Sequence, residues 1–244
     1  MCLRVTRARP SGCGPSSGCT PTTTSPRGTP TIGHRPTPAG WAGPWWGPWF
    51  YRQGGGALFD LGVYNVTSLC GLLGPARRVT AMTGVAIPER VVEGAPMRVE
   101  AEDNAHVLLD FGDGVLAVVT TGFTMQKYRS PAIELYGTEG VLQLLGDDWA
   151  PEGFERYANA TGVWEVHPET DPAWPWTDGL RHLVDCIERG AAPVTRPEHA
   201  YHALEIMLAF DAASASGRHV ELASTCARPE ALPPVAAGTP VRFA

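Results

Sequence analysis

Gly112-Asp113-Gly114 stands between two runs rich in β-formers, residues 106–111 and 115–121. Asp-Gly between such runs is a strong hairpin signal, because the tight turn needs residues that tolerate positive φ. A second pair of runs, 132–136 and 141–145, flanks Gly137-Thr138-Glu139-Gly140. Two hairpins in succession force antiparallel neighbours and so constrain the fold more than any other feature. Residues 78–87 read as a strand ahead of them, 163–167 and 220–222 as short strands after them. Residues 88–98 read as a loop and 147–159 as irregular. Leu180, Leu183, Val184 and Ile187 follow i, i+3, i+4, i+7 and end at Gly190, the pattern of an amphipathic helix. Thr195-Arg196-Pro197-Glu198 is a capping-box pattern opening a second helix, with Ala200, Ala203, Leu204, Met207 and Leu208 on its apolar face.

A third helix precedes the strands. It opens near Ala57 after the run Gly54-Gly55-Gly56, and Gly74-Pro75 ends it. The whole order is helix, strand, hairpin, hairpin, strand, helix, helix. It predicts an α+β fold, an open and largely antiparallel or mixed sheet with helices packed on one face. No βαβ alternation with a glycine-rich first turn occurs, which excludes a doubly wound nucleotide fold.

The first helix also carries candidate chemistry. Asp60 and Tyr64 are four residues apart and share a helix face. A carboxyl beside a phenol is a usable proton-transfer pair, and Gly54 to Gly56 let a backbone or a ligand approach closely. A capped amphipathic helix with two polar residues by chance has the same spacing. Trp41, Trp45, Trp46, Trp49, Phe50 and Tyr51 crowd the stretch just before it and would rim a pocket or simply pack as a loop.

Composition bounds the partners. All 25 acidic residues fall after residue 59, and six arginines fall before it, so the main body is acidic and nucleic acid is an unsuitable partner. Residues 1–40 are mostly Pro, Gly, Ser and Thr without an aromatic side chain, which predicts a disordered segment. Residues 223–244 read as a loose tail. The six cysteines form no CxxC pair, in keeping with reduced thiols in a cytoplasmic protein. No apolar run is long enough to cross a membrane. His199 and His202, and His182 with Cys186, have helical spacings a metal could use, but three converging ligands are not indicated and no metal site is assigned.

The run Gly54-Gly55-Gly56-Ala57-Leu58-Phe59-Asp60-Leu61-Gly62-Val63-Tyr64 resembles the GGGxLxDxGxH/Y motif of the Gfo/Idh/MocA oxidoreductases. Four further segments agree in order: Asp103-Asn104-Ala105 leading to the turn at 111–114, Leu135-Tyr136-Gly137-Thr138-Glu139-Gly140, the helix at 176–190, and the helix ending Ala212-Ala213-Ser214-Ala215-Ser216-Gly217-Arg218. The resemblance covers residues 41–222 and only the second of the family's two domains, the α+β domain that holds substrate and often dimerises. It implies Asp60 and Tyr64 as the catalytic pair, with Tyr in place of the commoner His. The branch resembling glucose–fructose oxidoreductase and dimeric dihydrodiol dehydrogenase also carries Tyr there. It further implies Gly54, Gly55 and Gly56 against the nicotinamide of NAD or NADP, with Trp49 and Tyr51 at the rim of the pocket for a sugar, polyol or related carbonyl compound. Lys127, just after an expected strand, is placed either to touch an anionic or polyol substrate or to stand as a solvated loop lysine. A homodimer through the open sheet face is implied as well. The family's Rossmann domain and EKP-type lysine have no counterpart here, so the expectation is a truncated oxidoreductase half, inactive alone. The alternative is a non-catalytic dimerisation or ligand-binding module.

Overall fold

The computed structural model describes residues 2–7, 47–125, 129–148, 150–168 and 178–230. A nine-stranded sheet dominates it. Its strands, in chain order, are β1 (Cys2–Arg7), β2 (Arg78–Gly84), β5 (Asn104–Gly112), β6 (Val115–Gly122), β7 (Glu134–Tyr136), β8 (Gly140–Asp147), β9 (Ala150–Ala158), β10 (Val163–Pro168) and β11 (Val220–Glu221). The spatial order is β10-β9-β8-β7-β1-β6-β5-β2-β11. A separate hairpin joins β3 (Glu89–Val92) to β4 (Ala95–Arg98). Among the described pairings only β1 with β7 is parallel. The α+β expectation therefore holds, with both expected hairpins in place.

Alternation along the strands decides which face is covered. Val79, Ala81, Val107, Leu109, Ala117 and Val119 point inward and are buried. Their neighbours Met82, Leu108 and Leu116 lie on the opposite face and are exposed. Two helices supply the cover, α1 (Val63–Leu73) and the 20-residue α3 (Pro197–Ser216), which pack on each other, with α3 also lying along β2. Leu58, Leu69, Leu109, Ile206 and Phe210 are at most 1 % exposed. Burying each such side chain contributes about 1.5–3 kcal/mol. Pro197 opens α3 directly after Arg196, one residue later than the capping-box pattern places the cap.

Other expectations change. Residues 2–7, expected to be disordered with the rest of 1–40, form β1 between β6 and β7. Averaged composition hides a six-residue strand, and Leu3-Arg4-Val5 is locally a β pattern. Residues 150–158, expected to be irregular, form β9, whose backbone pairs with β8 and β10 despite weak local β-formers such as Pro151, Glu152 and Gly153. The expected loop at 88–98 is the β3–β4 hairpin, turning at Glu93 and Gly94, both with positive φ. The third helix, α2 (Asp178–Arg189), forms as its periodicity predicts, yet Leu180, Leu183, Val184 and Ile187 remain exposed.

A second apolar cluster lies at one end of the main core. Phe50 and Tyr51 of a 3-10 turn (Pro48–Tyr51) pack with Val92 and Val99 of the hairpin region, and with the part-buried Met97 and Phe123. This cluster fixes the aromatic turn beside the start of α1.

Candidate functional site

The glycine run is packed by its own chain. Gly56 N–H donates to the Phe50 carbonyl at 2.8 Å, so the 3-10 turn and the helix start lie side by side. A Cβ on Gly55 would sit 2.5 Å from the Trp49 carbonyl oxygen and 2.6 Å from that of Phe50, a separation only glycine allows. A Cβ on Gly56 would collide with the Glu102 carboxylate. Gly54 has φ of +87° and faces open space. The close approach expected of these glycines is thus to a backbone at Gly55 and to a carboxylate at Gly56, leaving Gly54 open to a ligand.

Glu102 fills the helix N-terminus. Its Oε1 accepts from Leu58 N–H at 3.0 Å, and its carbonyl accepts from Ala57 N–H at 3.2 Å. These are the donors that would otherwise greet an external anion. Burial pushes the Glu102 carboxyl up, and the Leu58 N–H bond opposes that shift. The described residues therefore do not offer a dinucleotide pyrophosphate a glycine-lined helix start.

Asp60 sits in a π turn, Leu58–Gly62, that leads directly into α1. Such one-turn insertions recur at functional sites because they re-aim one side chain without ending the helix. Gly62 is buried in this turn, where a Cβ would lie 3.1 Å from Leu58 and 3.6 Å from Thr121. The Thr121 hydroxyl donates to the Ala57 carbonyl at 3.4 Å, holding the turn on β6. Asp60 is half-buried, and burial pushes its carboxyl above the usual carboxylate range. Tyr64, on the first turn of α1, is also half-buried and remains about one turn from Asp60.

Trp49 is 60 % exposed and stacks on Phe50 with 3.6 Å between ring centroids, an exposed aromatic surface. Tyr51 is buried, edge-on to Phe123 at 5.6 Å, with the Arg90 guanidinium 5.2 Å from its ring centroid. Burial pushes its phenol up; Arg90 opposes this, and Asp103 and Asp60 add to it. Lys127 lies outside the described residues. Glu102 and Arg90 are the site residues that sequence reasoning missed. An acidic pair, Glu102-Asp103, just ahead of a strand was the available signal for the first. Nothing in the local sequence marks Arg90.

The histidines have structural partners. His202 accepts from Ala76 N–H at 3.0 Å through Nε2, and its Nδ1 lies 2.8 Å from the Ser224 hydroxyl. Ser224 in turn bonds the Glu205 carboxylate. His199 Nε2 bonds the Thr67 carbonyl at 3.1 Å, and His182 Nε2 accepts from Val194 N–H at 3.0 Å. A cavity of about 910 Å³ lies farther along α1, lined by Ser68, Gly71, Leu72, Ile133, Leu144 and Arg228 among others. Its lining begins one turn beyond Tyr64 and does not include Asp60, so the candidate site stands on the Asp60 region rather than on this cavity.

An α+β domain with an acid at a π turn is the class this geometry defines. Residues 32–143 match the family described as GFO/IDH/MocA C-terminal domain. It is 26% identical over 202 residues to D-apiose dehydrogenase of Paraburkholderia graminis, covering 78% of this chain and 51% of that protein. It is 25% identical over 148 residues to trans-1,2-dihydrobenzene-1,2-diol dehydrogenase of Oryctolagus cuniculus, covering 57% of this chain and 41% of that protein. The chain thus spans about half the length of the curated relatives it matches or less. Among solved structures, levoglucosan dehydrogenase in complex with NADH and L-sorbose shares the fold with a TM-score of 0.62 at 18% identity, over 72% of this chain and 53% of that one. An oxidoreductase from Agrobacterium radiobacter in complex with NAD+, L-tartaric acid and magnesium shares it with a TM-score of 0.51 at 20% identity, over 67% and 48% of the two chains.

Proposed function

We propose that this chain supplies the substrate half of an NAD(P)-dependent oxidoreductase acting on a sugar, polyol or related carbonyl compound. The observation that carries the reading is Asp60 in a π turn, half-buried, with its carboxyl pushed up by burial. A carboxyl raised toward neutrality holds and releases a proton at a substrate hydroxyl or carbonyl oxygen more readily than an ordinary exposed one. Tyr64 is the second proton-carrying group, one turn along. Trp49 offers the face of an aromatic ring to a sugar ring, and Lys127 a cation to an anionic or polyol substrate. Gly54 is the glycine left open for close approach. The nicotinamide, when bound, supplies the hydride. Binding of its phosphates falls to residues outside this site.

The relatives named as dehydrogenases of D-apiose and of a dihydrobenzene diol support the polyhydroxylated substrate class. Exposed Met82, Leu108 and Leu116 on the uncovered sheet face support a homodimer through that face, which is also what a purely dimerising module would need. The cytoplasm suits the buried reduced cysteines Cys70, Cys186 and Cys226. Among the described residues no helix is long and apolar enough to cross a membrane.

Calorimetric titration of the full chain with aldoses, ketoses and polyols, with and without NADH, tests the reading. Saturable binding weakened at least tenfold by Asp60→Asn and by Tyr64→Phe supports it. Binding indifferent to both variants assigns the ligand elsewhere, and a dimer that binds none of these compounds returns the dimerisation module.

A further inference from the structure

The turn that carries Asp60 is gripped by a residue 44 positions beyond Leu58. Leu58 N–H donates to Glu102 Oε1 at 3.0 Å, and Ala57 N–H to the Glu102 carbonyl at 3.2 Å. Ala57 and Leu58 are at most 1 % exposed, so burial denies both donors a water partner. One residue thus holds two successive donors, with its backbone and with its carboxylate, and the carboxylate also suits the positive end of the helix dipole. Gly56 makes this grip possible. Its φ is +99°, and a Cβ there would fall on the Glu102 carboxylate, which occupies the space a side chain would take. The Gly56 carbonyl in turn accepts from Asp60 N–H at 3.2 Å. Opposite, the Thr121 hydroxyl of β6 donates to the Ala57 carbonyl. Glu102 is itself fixed on both sides. Ala101 N–H donates to the Tyr51 carbonyl at 3.1 Å and Asp103 N–H to the Gly84 carbonyl at 3.1 Å. The fully buried Asp103 carboxylate accepts from Ala86 N–H at 2.6 Å, Ile87 N–H at 3.0 Å and Arg90 Nη2 at 3.1 Å.

We propose that Glu102 is the positioning residue of Asp60: its carbonyl and carboxylate together hold the π turn in the geometry that presents Asp60 to substrate. The role rests on Asp60 being the site acid. Glu102 acts through Leu58 and Gly56 rather than on substrate. A π turn is a rare departure from the α register, and the paired acceptors of Glu102, with Thr121 opposite, hold it here. Leu58 needs an acceptor oxygen at this reach. Glu102→Gln keeps that oxygen, whereas Glu102→Asp is one methylene short for Leu58 and leaves the backbone bond to Ala57. A purely stabilising cap would lower the melting temperature when removed and leave the surroundings of Asp60 as they are.

Carbon-13 NMR of the Asp60 carboxyl in the full chain, assigned by its loss in Asp60→Asn, reads the positioning without cofactor or turnover. Glu102→Ala and Glu102→Asp are expected to move the Asp60 midpoint down toward 3.8, as a loosened turn lets water reach the carboxyl. Glu102→Gln is expected to keep the wild-type midpoint. A midpoint unmoved by the shortened side chains, with only a lower Tm, makes Glu102 a structural cap and overturns the proposal. A midpoint lowered by Glu102→Gln as much as by Glu102→Ala shows a charge acting on Asp60 and overturns it as well. Should Glu102→Ala fail to fold, Glu102→Asp and Glu102→Gln still decide. Failure of the sugar-binding reading shows separately, as absent calorimetric binding while the Asp60 midpoint still follows Glu102.

Discussion

At the residue scale, the meaning of Asp60 depends on where its neighbours put it. Spacing alone made it one of a polar pair on a helix. The π turn and its half-burial turn it into an acid whose ionised form is penalised. A carboxyl with a raised folded pKa binds its proton more tightly when folded. Its contribution to stability is therefore present below the unfolded value of about 3.8 and is lost as pH rises through the folded value. Asp60→Asn is accordingly expected to leave the melting temperature at neutral pH unchanged or higher, while it weakens sugar binding; a marked drop in Tm would assign Asp60 a structural role. Gly55 is the opposite case. Gly55→Ala drives a methyl into two carbonyl oxygens that belong to backbone and cannot swing aside, so a loss of about 1–3 kcal/mol is expected in denaturant unfolding.

At the scale of elements, legibility followed the range of the interactions. The hairpins β5–β6 and β7–β8 were readable because their turns are encoded locally, by Gly112-Asp113-Gly114 and by Gly137 to Gly140. β9 was not, because its pairing with β8 and β10 overrides the poor β propensity of Pro151-Glu152-Gly153. Asp60, Tyr64, Trp49 and Tyr51 were singled out from one short motif and its aromatic approach, a local signal that needs no tertiary contact. Glu102 acts on Leu58 across 44 residues, and Arg90 meets Tyr51 through a hairpin whose turn carried no recognised signal. The loop after β11 gives a further instance. Ala223 N–H and Ser224 N–H each donate to Glu205 at 2.8 Å, and Ser224 meets His202, so the segment is tied to α3. Burial pulls His202 below 6.5, and the Ser224 and Ala223 bonds hold Glu205 below 4.5 against its own burial. Both folded pKa values are depressed, so both contributions are complete above the unfolded values. The His202 contribution is lost as pH falls from 6.5, and the Glu205 contribution from 4.5. Chemical denaturation across pH 4 to 8 is expected to show stability falling below about 6.5. Ser224→Ala should cost about 1–3 kcal/mol, since it strands a buried ring nitrogen.

At the scale of the whole molecule, one sheet presents two unlike faces. Its inner face, under α1 and α3, is the core that holds the π turn in place. Its outer face leaves Met82, Leu108 and Leu116 in solvent. Sedimentation velocity is expected to give a dimer that Leu108→Glu converts to a monomer without unfolding; a monomeric wild-type chain at tens of micromolar would remove the dimer from the account. The central claim is narrower than the oligomer and rests on one side chain. Carbon-13 NMR of the Asp60 carboxyl, assigned by its loss in Asp60→Asn, measures it directly. A midpoint above 3.8 that moves further on saturation with a bound polyol or sugar is the expected result. A midpoint at or below 3.8, unchanged by ligand, would contradict a desolvated proton-transfer acid at the head of α1.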